Sequence, residues 1–439
     1  MKSNKMESPG WMIKRPTLYH ILFILLIGIS QSVSAQQWKR GDTLKIQETD
    51  TARIDQFRDN MIDYTGQDLI DASFPKSWPL FGSNTRMSIG GYLKIDYIQD
   101  FDGGYDRFQY EIKNVPIPGD GRPPQKGYMN MHARESRMHF DVRSINEAGV
   151  PMRFYFEFDF YNLERSGFYQ TLRLRHIYAV IGRLLVGRTW GTQTDVFAIP
   201  TTIDFAAGDA IVGIRRDQIR WEDDIDDKMN YAVAIEMNDF PEIDPNGFEG
   251  QASNSLPMLI GRITRNTAMG GRLFLSASVY QIRWDGQGDG PDDSALGWGV
   301  TFSGREYLIK DKFYFSWVGS YGDGWGSNVV TALGTNAAAI LNPDGKLETM
   351  PAWNLTGGLS YNISHALMAN VSTAWFGLDP SEFRSPDALK SGHSLHANLI
   401  WSPIKSVNAG IEFMTLQRNN GDGASGTGNR LQLMIKYLF

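Results

Sequence analysis

The chain has 439 residues, a formal net charge of −6 and no cysteine. The absence of cysteine excludes thiol catalysis, cysteine-ligated zinc and a disulfide scaffold. The acidic balance argues against a nucleic-acid-binding protein, because no basic excess is available to neutralise phosphates. Glycine accounts for 45 residues and aromatic residues for 12% of the chain, which favours β-structure with many turns.

The N-terminal residues have the three parts of a secretory signal peptide. Two basic residues precede an apolar run over 19–29, and the small residues around Ala35 suit a cleavage site. The apolar run is shorter than the roughly 20 residues that a membrane-spanning helix needs. We therefore expect residues 1–35 to be a signal peptide, for which Met12 is an alternative start.

The segment that follows the signal peptide differs from the rest of the chain. Residues 36–85 are polar and mixed, with apolar residues at helical spacing between residues 50 and 70. We interpret 36–85 as a short, partly helical periplasmic extension. The remaining residues, 86–439, are expected to form a single β-barrel domain.

From residue 86 onward the hydrophobic pattern has a period of two. In the segment 151–161, Met152 and four phenylalanines share one face, and mostly charged or polar residues share the other. Such a strand needs apolar surroundings on one side and water on the other. Counted from residue 86, about sixteen such segments occur, joined by connectors that alternate between short and long, as in outer-membrane barrels. The pattern predicts an all-β fold, a transmembrane antiparallel β-barrel of about sixteen strands with its short turns in the periplasm.

The last strand also carries a signal. The chain ends in Phe439, and apolar residues recur at every second position from Leu431 onward. This ending resembles the assembly signal of outer-membrane barrels. We therefore expect the protein to be inserted by the barrel-assembly machinery and to lie among the lipids of the bacterial outer membrane.

A set of short segments occurs in a fixed order between residues 74 and 222. A turn at 82–85 leads into a strand that reads Gly-Gly-Tyr-Leu-Lys-Ile-Asp over 90–96. The further segments are 133–137, 174–178, 186–190, 203–205 and 216–220. The set resembles the DcaP-like porins. The resemblance implies a homotrimer of sixteen-stranded barrels that passively admits small hydrophilic solutes and favours anions such as dicarboxylates, without a cofactor, a metal or covalent chemistry.

Strand parity predicts which charged side chains face the lumen. Six arginines on neighbouring early strands form the set that we call the basic ladder: Arg137, Arg153, Arg173, Arg175, Arg216 and Arg220. Glu157 and Asp159 share the inner face with them. Arginine suits anion recognition because it stays charged and offers forked donors to carboxylates. Because lining charges and pore width determine selectivity, we expect the ladder to favour anions.

The third long loop, residues 191–212, is expected to fold into the lumen, as loops at this topological place do in general porins. It contains Asp195, Asp204 and Asp209. Opposite the basic ladder, these acids would form a constriction with a transverse field. The alternative is that the arginines pair with neighbouring acids and only brace the wall and the loop.

Two functions of another class remain open from the sequence. One is a structural or adhesive barrel with a plugged lumen, for which the long loop at 322–350 could be the plug. The other is an outer-membrane barrel enzyme, although strand parity places no histidine beside a serine nucleophile. A short turn is predicted at residues 222–227, where five of six residues are acidic.

Overall fold

The computed structural model describes residues 77–80, 85–103, 108–119, 121, 126–162, 171–206, 208–238 and 241–439. The predicted signal peptide and nearly all of the predicted extension lie outside these ranges. Secondary structure within them consists of β-strands and single-turn 3-10 helices. None of the described helices is long and apolar enough to cross a membrane.

Sixteen long antiparallel strands, counted over the described residues, close into a barrel. They are β1 (Thr85–Asp102), β2 (Arg137–Ile145), β3 (Pro151–Asp159), β4 (Arg173–Ile181), β5 (Leu184–Trp190), β6 (Arg215–Asp226), β7 (Met229–Glu236), β8 (Met258–Asn266), β9 (Arg272–Asp285), β10 (Asp293–Ile309), β11 (Phe313–Asp323), β12 (Pro351–Asn362), β13 (Leu367–Leu378), β14 (Leu389–Ile404), β15 (Val407–Asn420) and β16 (Ser425–Leu438). Each strand pairs with the next, and β16 pairs with β1, which closes the sheet. The predicted all-β, sixteen-stranded barrel is confirmed.

Side chains alternate between the two faces of the barrel wall, as a strand period of two requires. On β3, Phe154 is exposed on the outer face, whereas its neighbours Arg153 and Tyr155 are buried on the inner face. Exposed leucine, valine and phenylalanine side chains cover the outside of the other strands in the same way. Lipid takes the place of a protein core around this surface, and the closed sheet leaves no edge unpaired.

The two ends of the barrel differ in their connectors. At the turn end, strands are joined by as few as two residues, as at 182–183 and 227–228. At the loop end, the connectors include 103–136, which contains the short strand Met129–His132, and also 191–214 and 324–350. Because the strand number is even, β1 begins and β16 ends at the turn end. There the backbone N–H of Phe439 donates a hydrogen bond to the carbonyl of Gly91 over 3.1 Å.

One predicted turn is wrong. Residues 222–226 continue β6, and Asp223 and Asp224 pair with Tyr231 and Asn230 of β7. The acidic composition suggested a loop, but side chains at the barrel rim contact water and can be charged within a strand. The turn therefore shrinks to residues 227–228.

Strand length varies around the barrel, and this variation positions the functional site. The strands β2 to β5 have only seven to nine residues each, whereas β13 to β16 have 12 to 16. The shortest, β5, ends at Trp190. The chain therefore leaves the wall after β5 at a level that the longer strands β13 to β16 still enclose.

Candidate functional site

The third long loop, between Trp190 and Arg215, crosses the lumen. Three of its carbonyl groups accept hydrogen bonds from side chains on β12 and β14, which lie six or more strands away from β5 around the barrel. Asn398 donates to Thr201 over 3.0 Å, Ser394 to Gly208 over 3.1 Å, and Asn354 to Ala210 over 2.8 Å. These bonds satisfy loop carbonyls that the surrounding protein buries. The loop is thereby held against the wall opposite its own strands.

A carboxylate on β15 fixes the tip of this loop. Glu412 accepts the backbone N–H groups of Ile203 and Asp204 over 2.8 and 3.0 Å. His396 lies 3.2 Å from the same carboxylate, and Asn398 donates to it over 2.8 Å. Hydrogen bonds to an ionised acceptor are among the strong ones in proteins. Glu412 was not singled out from the sequence, because a lone acid at an inward strand position resembles any other lumen residue.

The beginning of the loop is anchored on β9 and β10. Asp195 accepts hydrogen bonds from Arg272 and, over 2.9 Å, from Ser303. The guanidinium groups of Arg272 and Arg305 lie 4.7 and 4.2 Å from the centre of the Phe197 ring. Cation–π contacts of this kind are strengthened where water is excluded. Asp195 therefore pairs with an arginine outside the basic ladder.

The carboxyl groups of Asp204 and Asp209 bind donors on loops, not the arginines of the ladder as predicted. Asp204 accepts backbone N–H groups of Ala206 and Tyr110 over 2.9 and 3.3 Å. Asp209 accepts the N–H of Ile112 over 2.6 Å and the hydroxyl of Thr331. Both carboxyl groups thus join the third loop to other long loops, whose buried N–H groups need acceptors. Burial raises the pKa of each to about 7.

The ladder arginines on β3 and β4 form ion pairs with inner-face acids. Arg153 binds Asp141 through two hydrogen bonds of 2.9 and 3.1 Å. Arg173 binds Asp159 in the same forked manner, over 2.9 and 2.7 Å. Arg175 bridges Glu157 and Asp159 over 2.6 and 2.8 Å. Paired in this way, the guanidinium groups are rigidly oriented along the wall.

The other ladder members have different neighbours. Arg137 lies 3.6 Å from Glu157, so it joins the cluster that Arg173 and Arg175 form with the two acids. Arg216 instead donates to Asn328, in the long loop 324–350, over 2.8 Å. Arg220 lies 3.6 Å from Glu222, towards the turn end. The structure therefore brings Arg137, Arg173 and Arg175 together and separates them from Arg216 and Arg220.

A register irregularity alters the parity on β4. Glu157 pairs with His176 and Phe158 with Leu174, so Arg175 is the extra residue of a bulge. As a result both Arg175 and His176 are buried on the inner face. Strict alternation would have placed His176 on the outer face, so its position in the lumen was not predicted.

A cavity of about 140 Å³ lies between the loop and the basic wall, and we call it the slot. Its cationic lining side chains are Lys94, Arg137, Arg175, Arg215 and Lys436. Its acidic lining residues are Glu135 and Asp204, and much of the loop side is apolar. Lys94, Arg215 and Lys436 were not predicted from the sequence. Arg215 lies where the loop rejoins the wall, and strand parity does not apply at such a junction.

The chain was compared with known proteins by family and by structure. Residues 71–264 match the DcaP outer membrane protein family. The match covers the segments from which the resemblance was predicted, and that prediction is confirmed. The DcaP match and the closed barrel place the protein in the bacterial outer membrane. No curated protein matches the chain.

Solved structures share the fold of this chain. The outer membrane channel DcaP of Acinetobacter baumannii has a TM-score of 0.72 at 21% identity, covering 82% of this chain and all of that one. An anion-selective porin from Comamonas acidovorans has a TM-score of 0.53 at 12% identity, covering 81% of this chain and 100% of that one. The trimer form of OmpT of Vibrio cholerae has a TM-score of 0.51 at 10% identity, with the same two coverages. The barrel is therefore of the porin type.

Proposed function

We propose that the protein is a porin through which small hydrophilic solutes diffuse passively, with a preference for anions such as dicarboxylates. The charge of the slot carries this proposal. Five cationic side chains and two acids line it. A low-dielectric wall focuses the field of such charges and raises the local concentration of anions. The family match and the solved channels of the same fold support a channel over an enzyme.

The acids that line the slot balance less than half of its positive charge, since two acids stand against five cationic side chains. Glu135 pairs with Lys94. Burial raises the pKa of Asp204 to about 7, so that this group is partly neutral near neutral pH. Glu157 and Asp159 lie behind the slot and bind the guanidinium groups of the ladder. The field that a solute meets is therefore positive.

In this proposal the basic ladder has two parts, apart from Arg153, which binds Asp141 on the wall. The cluster of Arg137, Arg173 and Arg175 supplies the positive wall beside the slot, and its acids hold the guanidinium groups in place. Arg216 braces the loop 324–350 through Asn328, and Arg220 pairs with Glu222 towards the turn end. The first part determines selectivity, and the second maintains the shape of the lumen.

We infer a homotrimer as the assembled form. The low wall of β2 to β5 carries an aromatic outer surface in which Phe140 stacks on Phe156 at a centroid distance of 6.1 Å. A low, apolar wall is suited to contact with another copy rather than with lipid alone. OmpT of Vibrio cholerae, which has the same fold, is known in a trimer form. Electrophoresis without heating, after mild detergent extraction, would reveal the trimer as a slow band.

One observation favours the alternative of a plugged barrel. Asp209 joins the third loop to both neighbouring long loops, through Ile112 and Thr331, and the remaining slot measures only about 140 Å³. A barrel whose loops stay locked in this way would conduct ions poorly. Conductance separates the two functions directly.

The test is a planar-bilayer recording of the purified protein under a salt gradient. We expect stable conductance with a reversal potential that indicates anion preference. The variant Arg173→Gln with Arg175→Gln should lose much of that preference, whereas Arg188→Gln should keep it, because Arg188 pairs with Asp217 on the outer face. Cation preference would contradict the anion claim. Absence of conductance from a folded, heat-modifiable barrel would favour the plugged barrel.

A further inference from the structure

We propose that Arg215 and Trp190 form the site at which the slot binds the carboxylate or phosphate group of a permeating organic anion. This proposal rests on the proposed function and names the contact residues within it. Neither residue belongs to the basic ladder. They face each other across the β5–β6 pair, where Trp190 is the register partner of Arg215.

The first argument is the charge state of the neighbours of Arg215. Its Nε donates to Nε2 of His176 over 3.3 Å, and its guanidinium lies 3.8 Å from the centre of the Trp190 ring. Nε2 of His176 must carry a lone pair to accept this bond, so the imidazole is neutral. Within the described ranges, no carboxylate lies within 4 Å of the Arg215 side-chain nitrogens, in contrast to Arg173 and Arg175.

The second argument is accessibility. Arg137 and Arg175 line the same slot, but they are only 4% and 1% exposed. Arg215 is half-buried and lines the slot, so a solute in the slot can reach its side chain. The indole ring holds the guanidinium plane in one orientation, and a guanidinium fixed in this way loses less entropy on binding a carboxylate.

The third argument is an unused donor. The indole N–H of Trp190 has no hydrogen-bond partner among the described residues. The residue is only 5% exposed, and it lines the slot. A buried donor without a partner is costly, and an acceptor in the slot would remove that cost. Arg215 and Trp190 together therefore offer donors to an oxyanion. The apolar loop residues Ile199 and Ile203, which also line the slot, suit the hydrocarbon part of such a solute.

The experiment measures chloride-to-potassium permeability and the block of chloride current by added succinate, in planar bilayers. In Arg215→Gln, we expect the permeability ratio to fall about tenfold, because removing one unit charge about 6 Å from the ion in a water-like medium disfavours chloride about threefold and favours potassium about threefold. Succinate block should weaken by at least as much. Arg215→Lys should keep the ratio but weaken the block, because the ammonium lacks the fork. Trp190→Phe keeps a ring and removes the N–H, so it should weaken the block alone.

The control is Arg188→Gln, which removes one arginine from the outer face of the same strand pair and should behave as wild type. If wild type prefers cations, or does not conduct, the proposed function fails before this inference is reached. If wild type prefers anions while the Arg215 variants and Trp190→Phe match it, this inference alone is overturned. Should Arg215→Gln not fold, Arg215→Lys and Trp190→Phe decide the question through succinate block.

Discussion

The carboxylate of Glu412 on β15 accepts the backbone N–H of Ile203 over 2.8 Å, and this bond joins the tip of the third loop to a strand 209 residues further along the chain. The same carboxylate receives the N–H of Asp204. Together with the hydrogen bonds from Asn354, Ser394 and Asn398, this side chain holds the loop across the lumen.

Replacement of Glu412 with alanine should loosen the loop. Two buried N–H groups would lose their acceptor, at a cost of about 1–3 kcal/mol for each group left unpaired. We expect a larger and more variable single-channel conductance, with the barrel still formed. Glu382→Gln, at an exposed loop position, is the matched control and should leave conductance unchanged. A conductance of Glu412→Ala equal to that of wild type would mean that the other loop contacts suffice.

The junction at Asp209 should weaken as the pH rises. Burial raises the pKa of this group from 3.8 to about 7, so the folded junction favours the protonated acid. The resulting stabilisation is fully present below about pH 4 and is lost as the pH rises through about 7. We expect amide exchange in the loops, corrected for its intrinsic pH dependence, to accelerate over this range. In Asp209→Asn, which cannot ionise, that acceleration should be reduced, whereas Asp344→Asn, at an exposed position, should retain it.

Loss of Arg175 alone should destabilise the barrel more than replacement of both Arg175 and Glu157. Both side chains are almost fully buried, 1% and 0% exposed, so Arg175→Met would leave two acids without one of their partners. Loss of one partner of a buried pair costs about 3–5 kcal/mol. The temperature of heat modification on electrophoresis should fall clearly. The double variant Arg175→Met with Glu157→Gln should recover part of the loss, and no recovery would show that the pair is not the cause.

Phe439 should affect assembly more than stability. Its side chain is 46% exposed, so Phe439→Ser removes few internal contacts. We expect the amount of folded protein in the outer membrane to drop severalfold in cells, whereas refolding of the purified chain in detergent should proceed as in wild type. If refolding in detergent fell to the same extent, Phe439 would be a structural residue rather than an assembly signal.

The wall of the barrel is predictable from local sequence patterns. A period of two is a local property, since successive side chains of a strand point to opposite faces. The alternation in 151–161 therefore placed Arg153, Glu157 and Asp159 on the inner face before any tertiary contact was known. The family resemblance was predicted from local segments in the same way.

The organisation of the lumen depends on contacts between distant parts of the chain. The bulge at Arg175 turned His176 inward, and Asp204 and Asp209 accept backbone N–H groups of another loop instead of binding the ladder, whereas Asp195 pairs with Arg272. The partners of Glu412 and Arg215 come from distant parts of the chain or from a junction where strand parity ends. Charge pairing inside a barrel depends on which loops enter it and where they stop. These are non-local outcomes of closing sixteen strands, and no local pattern encodes them.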